Sequence, residues 1–174
     1  MRNVVACLAL CASASALNAQ LMRARVWPPG FATQVALDTI ALPVDIAAPA
    51  GKTYRAVVAA FEELKIPLAT KDSINGMVGN SSIVQSHSLA GSQMSRWFNC
   101  GTGMTGPNAD TFRLYIAVAA LLDKVTADTT RLRIGLVAGS KDMQGNAKDA
   151  VACATSGNLE AKLVELIQTR VGKP

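Results

Sequence analysis

Two consecutive runs constrain this chain more than any other feature: TFRLYIAVAALLDKV, from Thr111 to Val125, and TTRLRIGLVAG, from Thr129 to Gly139. In the first, Phe112, Leu114, Ile116, Val118, Ala120 and Leu122 recur at every second position, and in the second Leu132, Ile134, Leu136 and Ala138 do the same. A period of two sends successive side chains to opposite faces of a strand, so each run has one apolar face. The TADT between them, Thr126 to Thr129, predicts a hairpin connection. Register follows from the coincidence of the two faces, because a slip of one residue would turn both apolar sets towards water.

A sheet with one apolar face needs a cover, and two helical stretches supply it. In KTYRAVVAAFEELK, residues Tyr54, Val57, Val58, Phe61 and Leu64 fall on one side at helical spacing, and Pro67 stops the helix by forcing its predecessor out of the helical region. A second helix begins near Ser156, with Ser156 as cap, Glu160 against the positive end of the helix dipole, and Leu159, Leu163, Leu166, Ile167 and Val171 as its stripe. Gly172 and Pro174 end it.

Thr39 to Ile46 reads as a strand before the first helix. The stretch from Ile66 to Leu89 reads as two strands or one long irregular one, with turn chemistry at Asn75-Gly76 and Gly79-Asn80. A polar loop runs from Ser140 to Ala150. The expected fold is therefore α+β: an antiparallel sheet with two helices on one face, in the order β-α-β-β-β-β-α, helix-grip-like. At 174 residues the chain has room for one core, and with aromatics at 5% that core must rest on small aliphatic side chains.

The N-terminus, MRNVVACLALCASASALNAQ, sets Arg2 before an apolar run from Val4 to Ala12 and then small residues, the layout of a secretory signal peptide. The apolar run is shorter than the ~20 residues a bilayer span requires. Residues 1–19 are thus expected to be a leader, cleaved after Ala16 or after Ala19. Residues 20–33, containing Pro28-Pro29-Gly30, are expected to be a tether, and 34–174 a single domain. Cys11 follows Leu10 where a lipid-anchor motif wants a small residue, which favours free release over anchoring.

Loss of the leader would remove Cys7 and Cys11 and leave Cys100 and Cys153 as the two cysteines of a chain in an oxidising compartment, periplasmic or extracellular. A disulfide between them is expected. The competing reading makes one of them a reactive thiol with His87 as base.

NCGTGMTGPNADTF, from Asn99 to Phe112, spaces Gly101, Gly103 and Gly106 as G-x-G-x-x-G. That fingerprint binds a pyrophosphate only between a buried strand and the start of a helix. Here SRWFN precedes it and Pro107-Asn108 come after it, so the glycines read as a loop beside the disulfide, with no nucleotide. Metal sites built on histidine and cysteine lack the residues, no catalytic carboxylate pair or nucleophile stands out, and no cofactor is expected. The net charge of +5 is mild and unclustered, unlike a nucleic-acid footprint.

Alternation also places Arg113, Tyr115, Arg131 and Arg133 on the side of the hairpin away from the helices. This is either a solvated sheet face or a platform for an anion or a partner. Trp97 and Phe98 are expected to pack over the disulfide.

SRWFNCGTGMTGPNADTFRL together with VACATSGNLEAKLVELI resembles a group of uncharacterised exported bacterial proteins with a cysteine-glycine loop and a late C-x-[ST]-x-G-x-L-E element. The matching residues are Cys100-Gly101 and Cys153, Thr155 (or Ser156), Gly157, Leu159 and Glu160, and the resemblance covers roughly Ala48 to Val171. In fold order the chain is similar to the helix-grip domains of BamC-type outer-membrane assembly lipoproteins, and VDIAAPAGKTYRAV is similar to the strand-to-helix entry of START-like ligand-binding domains. The leader, the cysteine pair and the absence of a catalytic constellation point to a non-enzymatic envelope or secreted module that meets an envelope protein or an anionic surface component, with membrane contact at most peripheral. A small-ligand carrier, its pocket lined by Tyr54, Phe61 and Ile116 between helices and sheet, is the alternative.

Overall fold

The structure is a computed structural model and describes residues 25–143 and 149–172. The leader, its two cleavage points, Cys7, Cys11 and Pro174 lie outside the described residues. The fold is α+β, with an antiparallel sheet and two long helices. The sheet strands are β1 (Pro43–Ile46), β2 (Thr70–Asp72), β3 (Met77–Ser86), β4 (Phe98–Asn99), β5 (Arg113–Lys124), β6 (Thr130–Lys141) and β7 (Val151–Thr155). The long helices are α1 (Ala50–Glu63) and α2 (Asn158–Gly172).

The hairpin of β5 and β6 is the spine. Its register runs from Arg113↔Lys141 to Lys124↔Thr130, so Leu114, Ile116, Val118, Ala120 and Leu122 sit opposite Ser140, Ala138, Leu136, Ile134 and Leu132. Beyond β5 lie β3 and then β2. The other edge of β6 is shared, because β1 pairs with Thr130 to Arg133 and β7 with Ala138 to Ser140, and β4 closes the sheet against β7. Strands β4 and β7 go beyond the expected order. They are short, and the half-exposed β7 has too little apolar alternation to betray it.

Both helices pack on the apolar face and share one core with it: Val57, Phe61, Leu159, Leu163 and Ile167 are buried against Leu114, Ile116, Leu132 and Leu136. Helix α1 ends in a Schellman turn. Ile66 N–H donates to the Phe61 carbonyl at 2.9 Å and Lys65 N–H to the Glu62 carbonyl at 3.0 Å, with Lys65 at φ 54°. Proline at 67 then forbids a return to helix. In front of α2, Ser156, the expected cap, stands one residue before the cap position: its Oγ accepts from Asn158 N–H at 3.3 Å and donates to the Arg96 carbonyl at 2.8 Å.

Four expectations need correction. Residues Leu37–Ile40 form a helical turn, with Leu37 buried against Ala117, Ala119 and Val137, and the strand starts only at Pro43. Gly79 lies inside β3 and not in a turn, packed on Val118 and Ala119 where the β3–β5 register shifts, at a point where a Cβ would meet backbone. The described part of the expected tether is part of the domain: Arg25 and Val26 pair with Ala36 and Val35, and Val26 and Pro28 are buried. Finally, the sheet face away from α1 and α2 is not bare. Val26 and Leu37 form a second cluster with Ala117, Ala119 and Val137, so this N-terminal strap covers the middle of that face.

The strap can lie flat because β6 carries glycine under it. A Cβ on Gly135 would collide with the Leu37 carbonyl, and one on Gly139 with the Pro29 carbonyl. The close approach, and not a special φ, is what requires glycine at both places.

Candidate functional site

Cys100 and Cys153 are joined by a disulfide across β4 and β7, a separation of 53 residues, with Cα atoms 4.3 Å apart. Continuing the register Ala154↔Asn99 by one residue sets the two cysteines directly opposite. Both are buried. Trp97 and Phe98 are buried in the same core, the Trp97 indole N–H donating to the Leu89 carbonyl at 2.8 Å. The bridge leaves neither sulfur as a thiol for His87 to activate; His87 is exposed, at φ 69°, with Nδ1 2.9 Å from the Asp110 carbonyl oxygen.

The glycines after Cys100 make a tight hairpin, in which Gly103 pairs with Gly106 and Thr102 with Pro107. Asn108 ties its base, donating N–H to the Gly101 carbonyl at 3.0 Å and Nδ2 to the Cys100 carbonyl at 3.1 Å. From there the chain makes a single helical turn, Asn108–Thr111, and enters β5. The strand-turn-helix frame of a pyrophosphate site is therefore not the setting of these glycines.

Of the residues expected to line a carrier pocket, Phe61 and Ile116 are buried in the main core. Tyr54 is half-buried and belongs to a different feature, an open groove of about 420 Å³ shared with Arg55, Ile74 and Lys124.

The four candidate residues of the outer sheet face divide into two pairs. At one end, Arg131 Nε and Nη2 donate to the two carboxylate oxygens of Asp45 at 2.9 and 3.1 Å, and Arg133 Nη2 donates to Asp123 at 2.7 Å. The hydrogen bond from Arg131 holds the Asp45 carboxyl below its usual range, and the same bond raises the Arg131 guanidinium above its own. These arginines are matched by cross-strand acids.

At the other end Arg113 stands opposite Lys141 on one side and Ser86 on the other. Among the described residues no carboxylate lies at ion-pair distance from Arg113 or Lys141. Lys141 Nζ sits 5.7 Å from the centre of the Tyr115 ring, within cation–π range. Tyr115 in turn faces Val84 across the strand pair, and both line a groove of about 170 Å³ whose far wall is Trp27 and Pro28 of the strap.

Trp27 is 65% exposed, yet fixed, because its indole N–H donates to the Phe31 carbonyl at 2.7 Å. Gly30, at φ 86°, lets the strap bend against Val151 and Ala152. Sequence reasoning missed Trp27 and Lys141. The parity that exposes Arg131 and Arg133 also reaches Lys141 once β6 is extended past Gly139, but nothing local to VWPPGF says that it crosses the sheet.

No protein-family model, no curated protein and no solved structure matches the chain.

Proposed function

We propose that this protein is a non-catalytic binding or accessory module of the bacterial envelope or secreted space. On this reading it uses the Arg113 and Tyr115 end of its outer sheet face to hold an envelope partner or an anionic surface component. The contrast along one face carries the reading. Arg131 and Arg133 are neutralised by Asp45 and Asp123, whereas Arg113 and Lys141 face each other with no acid at ion-pair distance among the described residues. Like charges directly opposed across strands destabilise the pair, so an anionic partner has a repulsion to relieve. The buried bridge between Cys100 and Cys153 supports a life in an oxidising compartment, and the leader-like N-terminus supports export to it.

The test is a pull-down from envelope extract with the native protein and with Arg113→Glu plus Lys141→Glu. A partner recovered by the native form and lost from the variant is the expected result. Equal recovery of envelope proteins and lipids by both, or of neither class by either, overturns the reading.

A further inference from the structure

Resting on that reading, we propose that the occupant of this end of the face is an anionic lipid headgroup layer, met by Trp27, Val84 and Tyr115 around the cations Arg113 and Lys141. The apolar part comes first. With its N–H taken by the Phe31 carbonyl, Trp27 offers solvent a ring whose polar handle is already used, and Val84, 54% exposed, stands on the same groove. Tryptophan and tyrosine are the side chains that settle at the headgroup level of a bilayer.

The charges complete the match. Arg113 and Lys141 lie at directly paired positions, so phosphate oxygens between them replace a repulsion with two attractions. A soluble acidic partner would use the cations and leave the exposed indole and valine unexplained. A headgroup layer engages both. The contact is peripheral: it consists of a few side chains, and among the described residues no helix is long and apolar enough to cross a membrane.

The chain has two tryptophans, and Trp97 is 4% exposed, so a change in emission reports Trp27. The experiment adds vesicles of phosphatidylcholine, with or without phosphatidylglycerol, to the protein as exported at low salt and follows co-sedimentation and emission. Binding to the phosphatidylglycerol vesicles, with a blue shift that disappears in Trp27→Phe, is expected. Arg113→Glu plus Lys141→Glu should lower partitioning at least about thirtyfold. Arg55→Glu plus Lys162→Glu, the same charge change on the helix side, should lower it far less.

No binding to the anionic vesicles, an equal loss in the helix-side variant, or an unshifted Trp27 overturns the proposal. A full shift with inorganic phosphate alone also overturns it, since a free anion would then be the ligand. If vesicles fail while the double variant still loses a protein from envelope extract, the lipid assignment falls and the binding face stands; failure of both removes both.

Discussion

Pro29 seats its carbonyl directly over Gly139, in the space that a Cβ there would occupy. The strap and β6 are thus fitted to one another at the level of backbone atoms. In a bare strand, alanine for glycine gains about 0.5–1 kcal/mol of backbone entropy. Here Gly139→Ala, and likewise Gly135→Ala under Leu37, should instead destabilise by about 1–3 kcal/mol as the strap is pushed off. Chemical denaturation gives the sign, and stabilisation by either change would mean that the strap does not lie on the sheet.

The bridge between Cys100 and Cys153 ties β4 to β7, both short. Closing a loop of this length is worth about 4 kcal/mol in the chain-entropy model. Replacing both cysteines with alanine should cost about that much in urea unfolding, and a reductant should have no further effect on the double variant. Alkylation at Cys100 and Cys153 in the unreduced native protein would contradict the assignment.

Thr130 is buried at the start of β6, and its Oγ donates to the Ala48 carbonyl at 2.8 Å, joining the hairpin to the entry of α1. Thr130→Val keeps the shape and removes the donor. A loss of about 1–3 kcal/mol is expected, most of it recovered by Thr130→Ser.

Asp45 is exposed, and its carboxyl is held below the usual range by the hydrogen bond from Arg131. A depressed carboxyl contributes stability that is present above its unfolded pKa and is lost as pH falls through the folded one. Because the pair is solvated, that contribution is small and screened by salt. The midpoint of Asp45 followed by carboxyl-carbon NMR should therefore lie low and return to the ordinary range in Arg131→Gln. An unchanged midpoint would show that the pairing does not persist in solution.

Long periodic signals made the β5–β6 hairpin and the faces of α1 and α2 legible in the sequence, and each of those elements buries the face its period marks. The pairing of Cys100 with Cys153 was expected from the two cysteines that an expected leader would leave, and the bridge is present. The strap was illegible because its seat is made by absence: Gly135 and Gly139 contribute no side chain, and WPPGF has no period to announce that it packs. The matched acids show a middle case. Asp123 shares the parity of Arg113 and Tyr115 along β5, so it could be placed on the outer face, but Asp45 reaches Arg131 only through the β1–β6 pairing, a long-range register that no local pattern encodes.

The claim on which the functional account depends is that the strap holds Trp27 across a groove from Tyr115, whose ring lies within cation–π range of Lys141, itself paired with Arg113. Quenching of Trp27 emission, taken as the part lost in Trp27→Phe, tests this with ions of opposite sign. With each ion's efficiency taken relative to free tryptophanamide, iodide should quench it more strongly than caesium at equal low ionic strength, and Arg113→Glu plus Lys141→Glu should reverse that order. Equal quenching by the two ions, unaffected by the charge reversal, would contradict the account.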